Sequence, residues 1–361
     1  MSDVAAAEDV LDDPALVEAA DPHGMLRHVA GSGAQVRAAV SAAQEAALGR
    51  LRGAASRSLV VLGMGGSGMS GDVLAAVAGT DSPVPVHVVK GPVLPRWVGR
   101  GDLVVAVSCS GTTAETLSAA REASRRGVDL LAVGAATSPL AELAADARGA
   151  FVAVPQGRPP RASLWSLAVP VLLGAREAGV VDVSDDDLAR AADLMDDAAR
   201  RSAPSADTWA APAQLLALRL RGHLVLSWGT APVGGVAAAR FTNQVAENAA
   251  LPSVPGVLPE ALHNQVVAAD GPVVPASGGN IFRDRDSEHG LVARQADAAT
   301  AVLEQRGVGV DVVEATGASR VERLASLLVH GDLTSVYLAL VEGQEPTAIA
   351  AIDELKARTA T

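Results

Sequence analysis

The sequence predicts an α/β protein built from two similarly wound subdomains, each a parallel sheet flanked by helices in an αβα sandwich. Three observations predict it. Short apolar runs alternate with amphipathic stretches at βαβ spacing. The first of these runs ends in a glycine-rich loop that opens a helix. The third is composition: 49% of the 361 residues are hydrophobic and only 2% aromatic, so the cores must be built from Ala, Val and Leu.

Residues 4–20 and 31–54 read as leading helices. Strand-like runs follow at Ser58–Leu62, Val84–Val89, Leu103–Ser108, Asp129–Val133 and Ala150–Val154, with helices near 68–79, 113–126 and 138–146. PQGRPPRAS, 155–163, is basic and proline-rich and marks a crossover, so the division is expected as 1–155 and 156–361. A long helical region over 162–220 contains the acidic patch DVSDDDLARAADLMDD, read as a solvated helix start and face. Further strands are expected at HLVLSW (223–228), VVPAS (273–277) and VGVDVVEA (308–315). Helices are expected at VAAARFTNQVAENAA and near 288–306, 319–342 and 347–357. HLVLSWGTAPVGGVAAA loosely echoes SLVVLGMGGSGMSGDVLAA, hence the expectation of a repeated fold.

Composition also excludes partners. A net charge of −12 argues against nucleic acid, though a few groups suffice to bind a small anion. The single cysteine, Cys109, rules out an internal disulfide. The acidic start lacks the basic and apolar segments of a signal peptide. Short, interrupted apolar runs predict no membrane span, and the expected location is the cytoplasm.

The loop VVLGMGGSGMSGD, 60–72, satisfies G-x-G-x-x-G at Gly63, Gly65 and Gly68. A dinucleotide site would also place an acid at the end of the second strand. That strand, PVPVHVVKG, ends in Lys90 instead. The next strand end, VVAVSCSGTTAET, clusters Ser108, Ser110, Thr112 and Thr113 around Gly111. Hydroxyls and free N–H groups at a helix start cradle a phosphate. With Gly65, Gly66 and Ser67 from the first loop, two βα turns would converge on one anion, as a phosphosugar requires.

GMGGSGMSGD and SCSGTTAET resemble the sugar-isomerase (SIS) domain, and within it the bifunctional phosphoglucose/phosphomannose isomerase family, over nearly all the chain after about residue 25. The resemblance implies two SIS-type subdomains. It implies that Ser67, Ser108, Ser110 and Thr113 bind the sugar phosphate. Cys109 stands where the family has Tyr and Thr112 where it has Asn.

RFTNQVAENAALP resembles the family's RWKGQINENAK, which puts Glu247 in the place of the catalytic base, seven residues from Arg240. Burial would raise a Glu pKa toward neutrality. Phe241 replaces Trp and Thr242 replaces Lys. PEALHNQVVA resembles PELNHNEIVG. There His263 matches the ring-opening histidine, with Gln265 in place of a Glu. In related enzymes this histidine comes from the partner subunit, which implies a homodimer with shared sites. Arg161 in RPPRASLWSL matches the arginine that stabilises the enediolate, with Arg158 as a neighbouring competitor. Lys356 in PTAIAAIDELKART matches a lysine that aids ring opening.

The seven histidines show no metal-binding spacing, and Met69 breaks a G-x-S-x-G elbow around Ser67. Cys109 reads as a small core-lining residue. The implied activity needs no cofactor: interconversion of glucose 6-phosphate and/or mannose 6-phosphate with fructose 6-phosphate through a cis-enediol(ate). The alternatives are a phosphosugar sensor, or an isomerase of another sugar phosphate. A sensor needs the phosphate loops but not Glu247, Arg161, His263 and Lys356 together.

Overall fold

The computed structural model describes residues 10–272 and 277–359. Two all-parallel sheets carry the fold, as expected, in two compact units. The first unit contains Gly31–Met195 and Gly317–Ala325. The second contains the described residues before Gly31, Asp196–Thr316 and the chain from Ser326. The expected division at 155/156 separates the two sheets, but the helices divide elsewhere. Helices α1 (Pro14–Ala20) and α2 (Met25–Ala30) group with the second sheet. The stretch from 156 to 195 groups with the first.

In the first unit, helix α3 (Ser32–Glu45) precedes β1 (Ser58–Leu62), α4 (Gly65–Ala78), β2 (Val86–Val89) and β3 (Asp102–Ser108). Then come α5 (Ala114–Arg125), β4 (Asp129–Gly134), α6 (Pro139–Asp146), β5 (Ala150–Ala153) and α7 (Leu164–Glu177). The strand order is β2-β1-β3-β4-β5. Every residue of β1 and β3 is buried. Strands of a parallel sheet are covered on both faces, and so they read in the sequence as unbroken apolar runs. Val60, Leu62, Val104, Ala106, Leu130 and Ala132 share one core with the apolar face of α5. Gly71 lets α4 lie close on β1, because a Cβ there would meet Val61 at 2.9 Å.

Helix α8 (Asp185–Arg201) leads across the unit boundary to α9 (Pro212–Leu220) and the second sheet. The long helical region expected at 162–220 is therefore three helices. The second sheet takes β6 (Leu224–Thr230), β7 (Ser253–Leu258), β8 (Ser277–Arg283) and β9 (Gly309–Glu314), in the order β7-β6-β8-β9. Helix α10 (Val233–Ala249) joins β6 to β7 and α11 (Gly290–Gln305) joins β8 to β9. The order repeats β2-β1-β3-β4, so the echo seen in the sequence is a repeat of winding.

Two strands differ from expectation. β7, SVPGVL, was not expected, since Pro255 and Gly256 argue against a strand. Here it is an edge strand, where a missing N–H is tolerated. Gly256 is required because a Cβ would collide with the Trp228 indole. β8 was expected at 273–277. Residues 273–276 lie outside the described residues, and the strand runs from Ser277 to Arg283. Its glycines, Gly278 and Gly279, hid it.

Helix α12 (Arg320–Val341) passes from the first unit into the second, and α13 (Ala350–Thr359) follows it. At 22 residues, α12 is long and apolar enough to cross a membrane, a correction to the expectation of short apolar runs only. Its most apolar stretch is 89% buried within the protein, as in a core helix.

Candidate active site

In an open parallel sheet, ligands bind beyond the carboxyl ends of the strands where the strand order reverses. In the first sheet that point lies between β1 and β3. After β1, the chain passes Gly63 and Met64 and enters α4 with Gly65 in the left-handed region (φ 51°). Ser67 and Gly68 donate their N–H groups to the Met64 carbonyl at 3.0 and 3.2 Å. Gly65 and Gly66 are left at the first turn as donors without an intrahelical acceptor. Nothing lies within 4 Å of where a Gly65 Cβ would stand.

After β3, Gly111 makes the turn at φ 69°, with its N–H on the Ser108 carbonyl at 2.9 Å. A Cβ at Gly111 would collide with the Ser138 side chain. Ser108 Oγ and Thr113 Oγ1 stand 2.8 Å apart, and Ser110 Oγ and Thr112 Oγ1 2.9 Å apart. Thr113 precedes α5 with no cap bond from its own side chain, while Ser108 Oγ accepts from Thr113 N–H at 3.4 Å and Ser110 Oγ from Thr112 N–H at 3.2 Å. Cys109 N–H donates to Ser67 Oγ at 3.3 Å and locks the two turns together.

A third segment meets both turns. The chain from Pro155 to Ser163 lies against them: a Cβ on Gly66 would meet the Pro160 carbonyl at 3.3 Å and Arg161 Cα at 3.8 Å. Gln156 Nε2 donates to the carbonyls of Cys109 and Val154, both at 3.0 Å. Arg161, 5% exposed, sits in the turn before α7. Arg158, the competing arginine, lies within 3.5 Å of Ser166 Oγ. Cys109 is buried, and burial pushes its thiol pKa up; a Ser163 hydrogen bond and the Arg158 charge pull the other way. At the end of β2, Lys90 Nζ pairs with Asp72 at 2.5 Å. Burial raises the Asp72 carboxyl, and Lys90 opposes it. Neither the Lys90–Asp72 pair nor Gln156 was picked out from the sequence; a lone amide in a proline-rich stretch gives no motif.

The first unit thus gathers Gly65, Gly66, Ser67, Ser108, Ser110, Thr113 and Arg161. Glu247, His263 and Lys356 belong to the second unit. Glu247 is half-buried near the end of α10, with no hydrogen bond or ion pair among the described residues. Arg240, though seven residues earlier, turns into the core and holds Asp332 of α12 through Nη2 at 2.9 Å and Nε at 2.9 Å. Burial raises the Asp332 carboxyl, opposed by Arg240 and Gln244. Asn248 Nδ2 donates to Ser335 Oγ at 2.9 Å. The row Arg240, Gln244, Asn248 at i, i+4, i+8 is the packed face of α10. Phe241 packs edge-to-face on Phe282, with centroids 5.7 Å apart. Thr242 Oγ1 returns to the Ala239 carbonyl at 3.0 Å.

His263 is exposed at the end of the 3₁₀ turn Glu260–His263. Gln265 does not orient it. Its amide spans β6 and β7 instead: Trp228 Nε1 donates to Oε1 at 2.7 Å, and Nε2 donates to the Pro255 carbonyl at 3.0 Å. A carboxylate could accept the first bond but not make the second. Lys356 is exposed on α13, which buries none of its residues. Among the described residues, no group of three His, Cys, Asp or Glu could hold a metal ion.

Known proteins are similar to this chain in sequence and in fold. Residues 54–157 match the SIS domain, and residues 210–359 match the bacterial phospho-glucose isomerase C-terminal SIS domain. The bifunctional phosphoglucose/phosphomannose isomerase of Caldicellulosiruptor bescii is 30% identical over 303 residues, covering 84% of this chain and 89% of that one. The chain belongs to the bifunctional phosphoglucose/phosphomannose isomerase family. A second member of the family, from Aeropyrum pernix, is 32% identical over 310 residues, covering 82% of this chain and 87% of its own. The fold matches a hypothetical protein from Thermus thermophilus with a TM-score of 0.73 at 16% identity, over 99% of this chain and 93% of that one. As a member of this family the chain is an isomerase with two parallel-sheet SIS domains.

Proposed function

We propose that this isomerase interconverts glucose 6-phosphate and mannose 6-phosphate with fructose 6-phosphate. The observation that carries the reading is the bond from Cys109 N–H to Ser67 Oγ, which ties two hydroxyl-bearing βα turns together, with Arg161 on the segment that lies against Gly66. The names of the relatives supply the two aldose substrates.

In this proposal Ser67, Ser108, Ser110 and Thr113 hold the phosphate, with the N–H groups of Gly65 and Gly66 at the start of α4. Glu247 removes the C2 proton of the open-chain aldose. O2 loses its hydrogen, O1 gains one, and Glu247 returns its proton to C1. Arg161 faces the negative charge of the enediolate, a fixed cation where charge develops. His263 moves a proton between the anomeric hydroxyl and the ring oxygen, aided by Lys356; an imidazole can both accept and donate a proton. The mannose reaction requires the same proton to reach the other face of C2 after rotation about C2–C3. A homodimer with shared sites and a cytoplasmic role in carbohydrate metabolism are parts of the same proposal.

The test is a coupled assay on purified protein with fructose 6-phosphate in excess EDTA, with each aldose product detected separately. Formation of both is the expected result. One product narrows the substrate range. No turnover with clear phosphosugar binding by calorimetry overturns the isomerase mechanism in favour of a sensor.

A further inference from the structure

The loop after β3 presents its hydroxyls only if its backbone keeps one orientation. Cys109 is its pivot. The Cys109 N–H is held by Ser67 Oγ at 3.3 Å, and the Cys109 carbonyl is held by Gln156 Nε2 at 3.0 Å. A trans peptide is planar, with its C=O and the following N–H pointing in opposite directions. Fixing the Cys109 carbonyl toward Gln156 therefore fixes the Ser110 N–H away from Gln156. The amide orientation is unambiguous, because both of its partners, the Cys109 and Val154 carbonyl oxygens, are acceptors.

The Val154 bond anchors Gln156 in turn. Val154 N–H donates to the Gly134 carbonyl at 2.8 Å, so the amide is tied to the end of the first sheet. Pro155 follows at once, and Pro159 and Pro160 stiffen the segment up to Arg161. One short strap thus carries both Gln156, on the second phosphate turn, and Arg161, beside Gly66 of the first.

We propose that Gln156 is a positioning residue for phosphate recognition. By clamping the Cys109 carbonyl, it turns the Cys109–Ser110 peptide so that the Ser110 N–H joins the hydroxyls in binding the phosphate. This rests on the proposed function, because the anion is the phosphate of that substrate. The inference applies to binding, not to proton transfer.

The variants are Gln156→Ala and Gln156→Glu. The second keeps the size and shape of the side chain but offers no donor to either carbonyl. Dissociation constants for inorganic phosphate and fructose 6-phosphate are measured by calorimetry, with kcat, KM and Tm alongside. We expect Gln156→Ala to weaken phosphate binding and raise KM by roughly tenfold, as for one lost hydrogen bond in a charged network, with kcat within about twofold. Gln156→Glu is expected to be worse than Ala for phosphate, though isosteric. A mere packing role would spare the isostere and leave phosphate affinity unmoved. Unchanged phosphate affinity in both variants, or a Glu variant equal to wild type, overturns the inference. Wild-type protein that binds phosphate without turnover overturns the isomerase reading instead, and Gln156 is then judged on binding alone. Wild-type protein that binds neither phosphate nor fructose 6-phosphate overturns both.

Discussion

The two sheets reverse their strand order at equivalent places, between β1 and β3 and between β6 and β8. At each reversal a hydroxyl accepts a backbone N–H from the neighbouring strand end. Ser67 Oγ accepts from Cys109 N–H at 3.3 Å, and Thr230 Oγ1 accepts from Asp284 N–H at 3.3 Å. What surrounds that shared bond differs. In the first sheet, open space lies beyond Gly65 and the next loop offers four hydroxyls. In the second, Gly234 sits so tightly on the Phe282 carbonyl that a Cβ would collide with it. Asp284 there is buried and accepts from the Ser287 hydroxyl, while Arg283 is enclosed by Glu288 and Asp297. The protein's own carboxylates satisfy the cations at that strand end. One winding therefore yields an open crevice in one sheet and a filled, self-satisfied one in the other. The crevice at a strand reversal is a place for a ligand only when the chain leaves it unfilled.

The comparison divides the proposed labour: anion binding in the first unit, proton transfer by residues of the second. The largest test is Glu247→Gln. It is expected to lower kcat by about a thousandfold, within the range for loss of a general base, while fructose 6-phosphate still binds nearly as tightly. Equal loss of binding and turnover would sink the assignment.

A smaller effect separates the two matching hydroxyls. Ser67→Ala is expected to weaken inorganic phosphate binding by about tenfold or more, because a bond to a charged group is lost. Thr230→Ala is expected to lower stability by about 1–3 kcal/mol through the stranded Asp284 N–H, with phosphate affinity unchanged. Calorimetry and denaturant melts on both variants check the pair. A phosphate effect from Thr230→Ala would mean the second reversal point is not closed.

A further test is in pH. Burial, with the Arg201 charge added, pushes His330 down to about 4. An unfolded histidine titrates near 6.5. Between those values the unfolded chain binds a proton that the folded chain refuses, so stability falls as pH drops from about 6.5 toward 4. The stabilising contribution is fully present above that window. Denaturant melts across the range should show this slope, and His330→Asn should flatten it.

Much of the site was legible in the sequence because it is local. The glycine loop and SCSGTT each lie within one βα turn, and their spacing alone suggests the anion cradle proposed above. Glu247 and Arg240 illustrate the limit. They stand seven residues apart on one helix, yet Arg240 is drawn into the core by Asp332, 92 positions away. The same holds for Gln265, which stands in place of the family's Glu two residues after His263 and braces Trp228 against Pro255.

The sequence by itself determined the α/β class, the strands whose apolar runs are unbroken, the repeat of winding and the two hydroxyl-rich turns, since each depends on residues near one another in the chain. Only the tertiary structure decided the rest. β7 and β8, with their Pro and Gly, are strands because neighbouring strands supply their hydrogen bonds. Gln156 matters because folding brings it to Cys109, 47 residues away. Local propensity cannot encode a partner so distant, and packing and hydrogen-bond satisfaction decide where it does not.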